Sequence, residues 1–414
     1  MPKTPLARSV TLAALAGGLA GGLAAPAAHA DFIGDSRANL ELRNFYVNSD
    51  NRQDGVAQSK AEEWAQGFLL KFESGFTEGT VGVGVDALGL LGVKLDSSPE
   101  RAGSGLLPGG FNDPAPDDYS NLGMTAKVRV SKSTLRVGTL IPKLPTILPN
   151  DTRLLPQTFR GAQLTSEEID GLTLNAGRLT ENSLRSEAGY EDMIMSGVAG
   201  GRQTDKFDFG SASYRWNKAL STAYSYGRLD GNYKQHIVNL THVAALGDSQ
   251  SFKSDLRYAR STSDGNATVD NKAFGAMFTY SLSGHSFGLA YQKMSGDTAY
   301  PFINGSDAFL VNYVMIAPTF ANADERSWQA RYDYNFAAMG IPGLSLMARY
   351  ISGDDFGPGG DSKEWERDTD LAYVIQSGAL KNLGLKWRNG TYRASGGRKI
   401  DQNRLILSYS IPLM

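Results

Sequence analysis

Apolar and polar side chains alternate along most of this chain in segments of about ten residues, separated by short turns or glycine-rich stretches. In RSWQARYDYN, residues 326 to 335, Trp328, Ala330, Tyr332 and Tyr334 share one face, while Ser327, Gln329, Arg331 and Asp333 share the other. A strand does this because successive side chains point to opposite sides. The closing segment repeats the pattern, with Leu405, Leu407, Tyr409, Ile411 and Leu413 on one face and Arg404, Ile406, Ser408 and Ser410 on the other. Similar segments begin near Asn39, Trp64, Val81, Tyr119, Thr134, Leu172, Tyr190, Phe207, Lys218, Lys234, Phe252, Ala273, Ser286, Phe309, Gly343, Leu371 and Asn382, which makes nineteen candidates.

Alternation repeated this often predicts an all-β fold, a transmembrane antiparallel up-and-down β-barrel. Bacterial single-chain barrels have even strand numbers, so one candidate is a loop or a split strand and about eighteen strands are expected. A secreted β-sandwich or β-solenoid shares the alternation. An outward aromatic band such as Tyr332, Tyr334, Tyr350 and Tyr409 near strand ends favours the membrane. Ser283-Gly284-His285 and Met339-Gly340-Ile341-Pro342-Gly343 are short enough for periplasmic turns, and residues 96–118 and 353–367 would then be extracellular loops.

Residues 1–30 carry the marks of a signal peptide, with a charged MPKTPLARS, an apolar VTLAALAGGLAGGLAA and a cleavage site at Ala28-His29-Ala30. Residues 31–414 would form the barrel, and a short N-terminal anchor is the alternative. Beyond the leader there is no run of about 18 apolar residues, so no helix is expected to span a bilayer. The chain has no cysteine, so the exported fold is held without disulfides. A net charge of −2, with no basic stretch interleaved with aromatics, gives no reason to expect nucleic acid.

One stretch breaks the rhythm. From Ile141 to about Ile169 there is no usable strand or helix pattern, Pro142, Pro145, Pro149 and Pro156 restrict the backbone, and Arg153 and Arg160 stand in NDTRLLPQTFRG. A wide barrel leaks unless something folds into it, and a polar lumen tolerates such backbone, so this loop is either a constriction or a surface loop with solvated arginines.

With apolar residues facing out, Arg43, Lys71, Lys127, Arg129, Arg136, Arg257, Arg331, Arg349, Lys386, Arg388 and Arg404 face the lumen, as do Glu41, Glu73, Asp86, Asp255 and Asp333. Taken singly these form a mixed polar wall; taken together they read as a basic track opposite an acidic wall, which orients anions. Tyr224, Tyr226, Tyr280 and Tyr291 would serve either as a stacking surface in the lumen or as an outward belt.

RNFYVN at 43–48, EEWAQGF at 62–68, FESGFTEGTVGVGVDALGLLGVKLD at 72–96, DDYSNLG at 117–123, RLLPQTFRGAQL at 153–164, SWQARYDYN at 327–335 and the closing RLILSYSIPLM together resemble the OprD-type outer-membrane carboxylate channels, across essentially the whole mature chain. The resemblance implies a monomeric eighteen-stranded barrel in the outer membrane, a third loop that narrows the pore, and a ladder of basic side chains. By that resemblance Arg153 matches the constriction arginine, Arg52, Arg185, Lys386, Arg388 and Arg404 are further rungs, and Asp307 matches an acid of the inward seventh loop. The chain departs from the basic-amino-acid branch at Ala61 and Ala372, where that branch has basic residues, and it ends on Met414 rather than an aromatic residue. EEWAQGF, ALGLLGVKLD and RLLPQTF are more similar to the branch that passes aromatic acids such as benzoate and vanillate; a channel for basic amino acids and small peptides is the alternative.

The expected chemistry is recognition without reaction. A guanidinium offers a planar fork to a carboxylate and keeps its charge, and conduction needs several weak sites rather than one tight one. The expected partners are small carboxylates and outer-membrane lipids, with no cofactor. A barrel hydrolase is the reading of another class, but His236, His242 and His285 stand outside any nucleophile motif. The acids of residues 353–370 lack calcium-loop spacing, so no metal site is expected there.

Overall fold

The structure is a computed structural model that describes residues 31–265, 267–316 and 320–414; the expected signal peptide lies outside the described residues. Among the described residues twenty strands run in chain order. The first seven are β1 (Arg37–Asn51), β2 (Lys60–Glu73), β3 (Val81–Asp96), β4 (Asp118–Val130), β5 (Ser133–Leu140), β6 (Thr158–Ser166) and β7 (Leu172–Ser183). There follow β8 (Met195–Ser196), β9 (Phe207–Arg215), β10 (Leu220–Leu229), β11 (Tyr233–Gly247), β12 (Gln250–Ser263), β13 (Asp270–Leu282) and β14 (His285–Ser295). The last are β15 (Phe302–Ile303), β16 (Arg326–Asn335), β17 (Leu344–Phe356), β18 (Ser362–Val374), β19 (Gly384–Ala394) and β20 (Lys399–Pro412).

Eighteen of these form a single antiparallel sheet, and β8 pairs only with β15. β20 pairs with β1 from Asn39↔Pro412 to Asn51↔Ile400, so the sheet closes on itself. Closure satisfies every strand edge, which a bilayer demands of a β-structure. The start of β1 and the end of β20 lie at the end of the barrel that carries the two-residue turns 131–132, 248–249 and 283–284, and the long connections 97–117, 141–157, 184–206 and 296–325 leave from the opposite end.

The strand faces follow the alternation. Trp328 and Leu405 are half exposed on the outer surface, while Ser327, Gln329 and Arg404 are buried on the inner one. Several inner bases pair with acids on the same face, among them Lys127 with Asp86 (2.5 Å), Arg257 with Asp255 (2.8 Å) and Arg331 with Asp333 (2.7 Å).

Three expectations need correcting, and they explain how nineteen candidates become eighteen strands. Tyr190 and Phe309 stand in the connections after β7 and β14 and start no barrel strand. Their local apolar patterns belong to loops that pack inside the barrel, where any side may be apolar. Conversely, residues 158–166 of the supposed long loop are β6, so the loop ends at Gln157. The alternation of β6 was masked because Arg160 lies on its outer face, paired with Glu181 (2.9 Å) and stacked 4.0 Å over the Tyr190 ring. The third correction concerns residues 353–367, which are mostly strand. The true connection there is 357–361, and Glu364, Glu366 and Asp368 lie on β18.

The barrel's core is built by loops that turn inward. Leu106 and Leu107 of the 97–117 connection and Leu154 and Leu155 of the 141–157 connection pack on Phe45, Val47, Ala65 and Leu69 of the wall. Ile147, Met193, Met195 and Ile303 join a second cluster with Phe159, Leu179 and Phe207. Tyr300, Ala308 and Leu310 cover Ile237, Ala259, Ala273 and Met294, and Val314 and Phe320 cover Ile351 and Ile400. Each fully buried leucine of this kind contributes about 1.5–3 kcal/mol, enough to hold a loop in the lumen against its conformational entropy.

Candidate functional site

The 141–157 loop is fixed by its apolar pair before its arginine is placed. Leu154 seats against Gly67 of β2, where an added Cβ would lie 3.1 Å from the leucine Cγ and crowd it, so glycine suits so close an approach. Arg43 of β1 donates from Nη1 to the Arg153 carbonyl (2.9 Å) and to Asp151 (2.6 Å), tying the loop backbone to the wall. The Arg153 side chain then runs into the middle of the protein, 8% exposed. Its Nε donates to the Ser104 carbonyl at 3.4 Å and its Nη1 to the Thr152 carbonyl at 3.1 Å. No carboxylate pairs with it among the described residues. Burial, and after it the positive charges of Arg404, Arg185 and Arg388, push its pKa well down from the ordinary guanidinium value. A guanidinium nevertheless keeps its proton, so the penalty is expressed as attraction for an anion.

Arg185, in the connection after β7, reaches the same place. Its Nη1 donates to Asn150 Oδ1 (2.8 Å) and to Thr152 Oγ1 (2.9 Å), and again no acid pairs with it among the described residues. Gly105 makes room for it: its φ is +74°, and a Cβ there would stand 3.3 Å from the Arg185 Nη2.

Asp307 closes the group from the 296–325 connection. Its backbone N–H donates to the Leu148 carbonyl (2.8 Å), and its Oδ1 accepts from Asn150 Nδ2 (2.7 Å) and from the Tyr313 hydroxyl. Burial raises its pKa to about 6, against the lowering effects of the Tyr313 hydrogen bond and the Arg185 charge. Gln157 adds a second tie between the two loops, donating to the Asn304 carbonyl at 3.0 Å.

The facing wall is β17 to β20. The inner face of β18 carries Glu364, Glu366, Asp368 and Asp370, all buried. These acids stand among the bases rather than opposite them. Asp370 pairs with Arg388 (2.9 Å) and Lys386 (3.2 Å), and Asp368 pairs with Arg349 (2.7 Å). Arg404 is 1% exposed and donates to Gln402 (2.7 Å) and to the Met315 carbonyl (2.7 Å).

Of the side chains expected from sequence, Arg153, Arg185, Arg388, Arg404 and Asp307 thus converge, with Lys386 beside Arg388. Arg52 does not join them. It is more than half exposed beyond the end of β1, held by Asp50 and Asp401 at 3.1 Å each. Tyr224 and Tyr291 are exposed on the outer surface, and Tyr226 and Tyr280 share their strands' outer faces, so these tyrosines form the belt and not a lumen surface. Sequence reading missed Asn150, Tyr313 and the β18 acids. The spacing of Glu364, Glu366, Asp368 and Asp370 is itself period two and was a usable signal; nothing local marked Asn150 or Tyr313. Among the described residues no three His, Asp or Glu side chains group as metal ligands.

Residues 30–413 match the family described as outer membrane porin, OprD family. Among solved structures, the chain is 58% identical to OpdQ of Pseudomonas aeruginosa, with 92% of this chain and 99% of that one covered and a TM-score of 0.85. It is 43% identical to a BenF-like porin from Pseudomonas fluorescens Pf-5, covering 92% and 100% with a TM-score of 0.90. It is 39% identical to Pseudomonas aeruginosa OpdK, crystallised with vanillate, covering 92% and 100% with a TM-score of 0.86.

Proposed function

Because this chain belongs to the OprD family of outer membrane porins, and is therefore an outer-membrane channel and not an enzyme, we propose that it admits small carboxylates, aromatic acids such as benzoate or vanillate foremost, past an arginine constriction. The observation that carries this reading is that buried Arg153 and half-buried Arg185 reach the same place, with hydrogen bonds to neutral oxygens and no carboxylate counter-ion among the described residues. Two fixed forks without an anion form a receptor for one.

In this proposal Arg52 gathers anions at the mouth, Arg153 and Arg185 hold the carboxylate in the narrows, and Lys386 and Arg388 receive it beyond. Arg404 lends charge to the cluster while its hydrogen bonds hold the 296–325 connection. Asp307 sets the net charge of the narrows. The aromatic preference is supported by the BenF-like porin and by OpdK crystallised with vanillate. In this reading the chain works as a monomer, a complete pore in itself because its barrel closes through its own β1 and β20, and residues 1–30 are its export signal.

The test is competition among benzoate, vanillate and arginine for uptake into liposomes holding the purified protein. Benzoate and vanillate should displace one another, with arginine a poor competitor. Arginine as the strongest competitor would overturn the aromatic-acid reading in favour of basic amino acids.

A further inference from the structure

The loop-bearing end of the barrel also carries charge on its outside, where the surface meets lipid. On the outer face of β12, β13, β14 and β16, Arg260 stands directly opposite Lys272, and Lys293 directly opposite Arg326. Like charges placed opposite one another on neighbouring strands oppose pairing. One register step towards the membrane centre, Tyr258 faces Phe274 and Tyr291 faces Trp328, exposed by 44%, 44%, 44% and 49%. A basic row therefore lies above an aromatic row.

Arginines along this rim have acid partners, inside the basic row and outside it. Arg160 pairs with Glu181 (2.9 Å), Arg178 with Asp208 (2.6 Å) and Arg228 with Asp264 (2.9 Å). In the basic row, Arg260 pairs with Asp270, and Arg326 with Asp354 (3.4 Å) and Asp355 (2.5 Å). Lys272 and Lys293 are exposed and make no ion pair among the described residues. Lys272 is paired in register with Ser295, two residues from Lys293, which makes the lysines diagonal neighbours about 7–8 Å apart. That separation lets two ammonium groups close on one phosphate.

We propose that this face binds the phosphorylated headgroup of an outer-leaflet lipid, with Lys272 and Lys293 on the phosphate and the acyl chains over Tyr258, Phe274, Tyr291 and Trp328. Charge complementarity selects the headgroup, and the aromatic row places the boundary between headgroup and hydrocarbon. Asp270, Asp354 and Asp355 offset the two arginines of the row, and the lipid phosphate offsets the two lysines that no acid pairs.

Native mass spectrometry of the purified full barrel in detergent tests this with diphosphoryl lipid A as the probe, and with phosphatidylethanolamine and inorganic phosphate as controls. The wild type should retain lipid A, and the double variant K272Q/K293Q should bind it about tenfold more weakly. Both proteins should bind phosphatidylethanolamine equally weakly, and inorganic phosphate should not displace lipid A. The lysines lie outside the lumen, so the variant's single-channel conductance should be unchanged, which certifies its fold. Equal lipid A retention by wild type and variant would overturn the proposal. So would displacement by inorganic phosphate, or a dimer seen in the wild type and lost in the variant.

Discussion

Glu366 and Arg404 grip the same peptide of the inward loop from its two ends. Glu366 Oε1 accepts the N–H groups of Met315 (2.9 Å) and Ile316 (2.8 Å), and Arg404 Nη2 donates to the Met315 carbonyl (2.7 Å). Arg349 adds a third anchor, donating to the Tyr313 carbonyl at 2.9 Å. The charges of β17, β18 and β20 thus position a loop as well as lining a wall, and that loop carries Asp307 into contact with Asn150.

Glu366→Gln tests this anchoring. The amide keeps the size and one acceptor oxygen but loses the charge that strengthens both N–H bonds, which weakens each by about 1 kcal/mol. Faster cleavage within the 296–325 connection by a soluble protease and a larger, noisier single-channel conductance are expected. Unchanged cleavage and conductance would show that apolar packing alone holds the loop.

Arg153→Ala removes the fork that faces no carboxylate. A charge pair at 4 Å is worth about 4 kcal/mol at an effective dielectric of 20 before desolvation is subtracted, so a roughly tenfold weakening of benzoate competition is a conservative expectation. Small neutral solutes should pass faster through the widened gap. Arg153→Lys should keep anion preference and blur discrimination among carboxylates, because the point charge lacks the fork. A folded alanine variant with unaltered competition and ion selectivity would make Arg153 a structural loop residue.

If the proposed constriction is right, Asp307 should give it a pH dependence. Its pKa is raised to about 6, so it is charged above that value and neutral below it. As pH falls from 7 to 5 the constriction loses a negative charge beside Arg185, and chloride selectivity measured from reversal potentials should rise. Asp307→Asn should show the low-pH selectivity at both values. For stability the sign follows from burial: the unfolded carboxyl loses its proton at lower pH than the folded one, so this group weakens the fold as pH rises from about 4 towards 6. A midpoint unmoved by Asp307→Asn would assign the titration elsewhere.

The strands were legible because lipid imposes one rule on half of their side chains. Trp328, Tyr332, Leu405 and Leu407 had to be apolar, and period two followed. The lumen imposes no such rule, so Phe309, packed inside, imitated a strand, as did Tyr190, which stacks on Arg160, and β6 was hidden by the outward Arg160. The β18 acids looked like a solvated loop because charge on four alternate residues is rare on a buried face; each has its partner on another strand or on an inward loop. The contact between Asn150 and Asp307 joins residues 157 apart in the chain, and no local pattern carries such information. Arg153 was reachable only through the resemblance of its motif, since a proline-rich loop with an arginine reads equally well as surface.

Lys386 and Arg388, proposed to receive the permeating anion, need a test that respects their partner. Replacing both with glutamine should lower anion flux, and the loss should shrink at high salt, because charges more than about 8 Å away are screened at physiological ionic strength. The double variant also strips Asp370 of both its cations, and its side chain is only 11% exposed. An unpaired buried carboxylate adds repulsion to permeating anions and destabilises the wall, so the double variant alone overstates what the rungs contribute. Adding Asp370→Asn separates the two effects. If the triple variant recovers thermal stability but still conducts benzoate several-fold more slowly than wild type, the bases act on the permeating anion; if flux returns with stability, they serve only to neutralise Asp370.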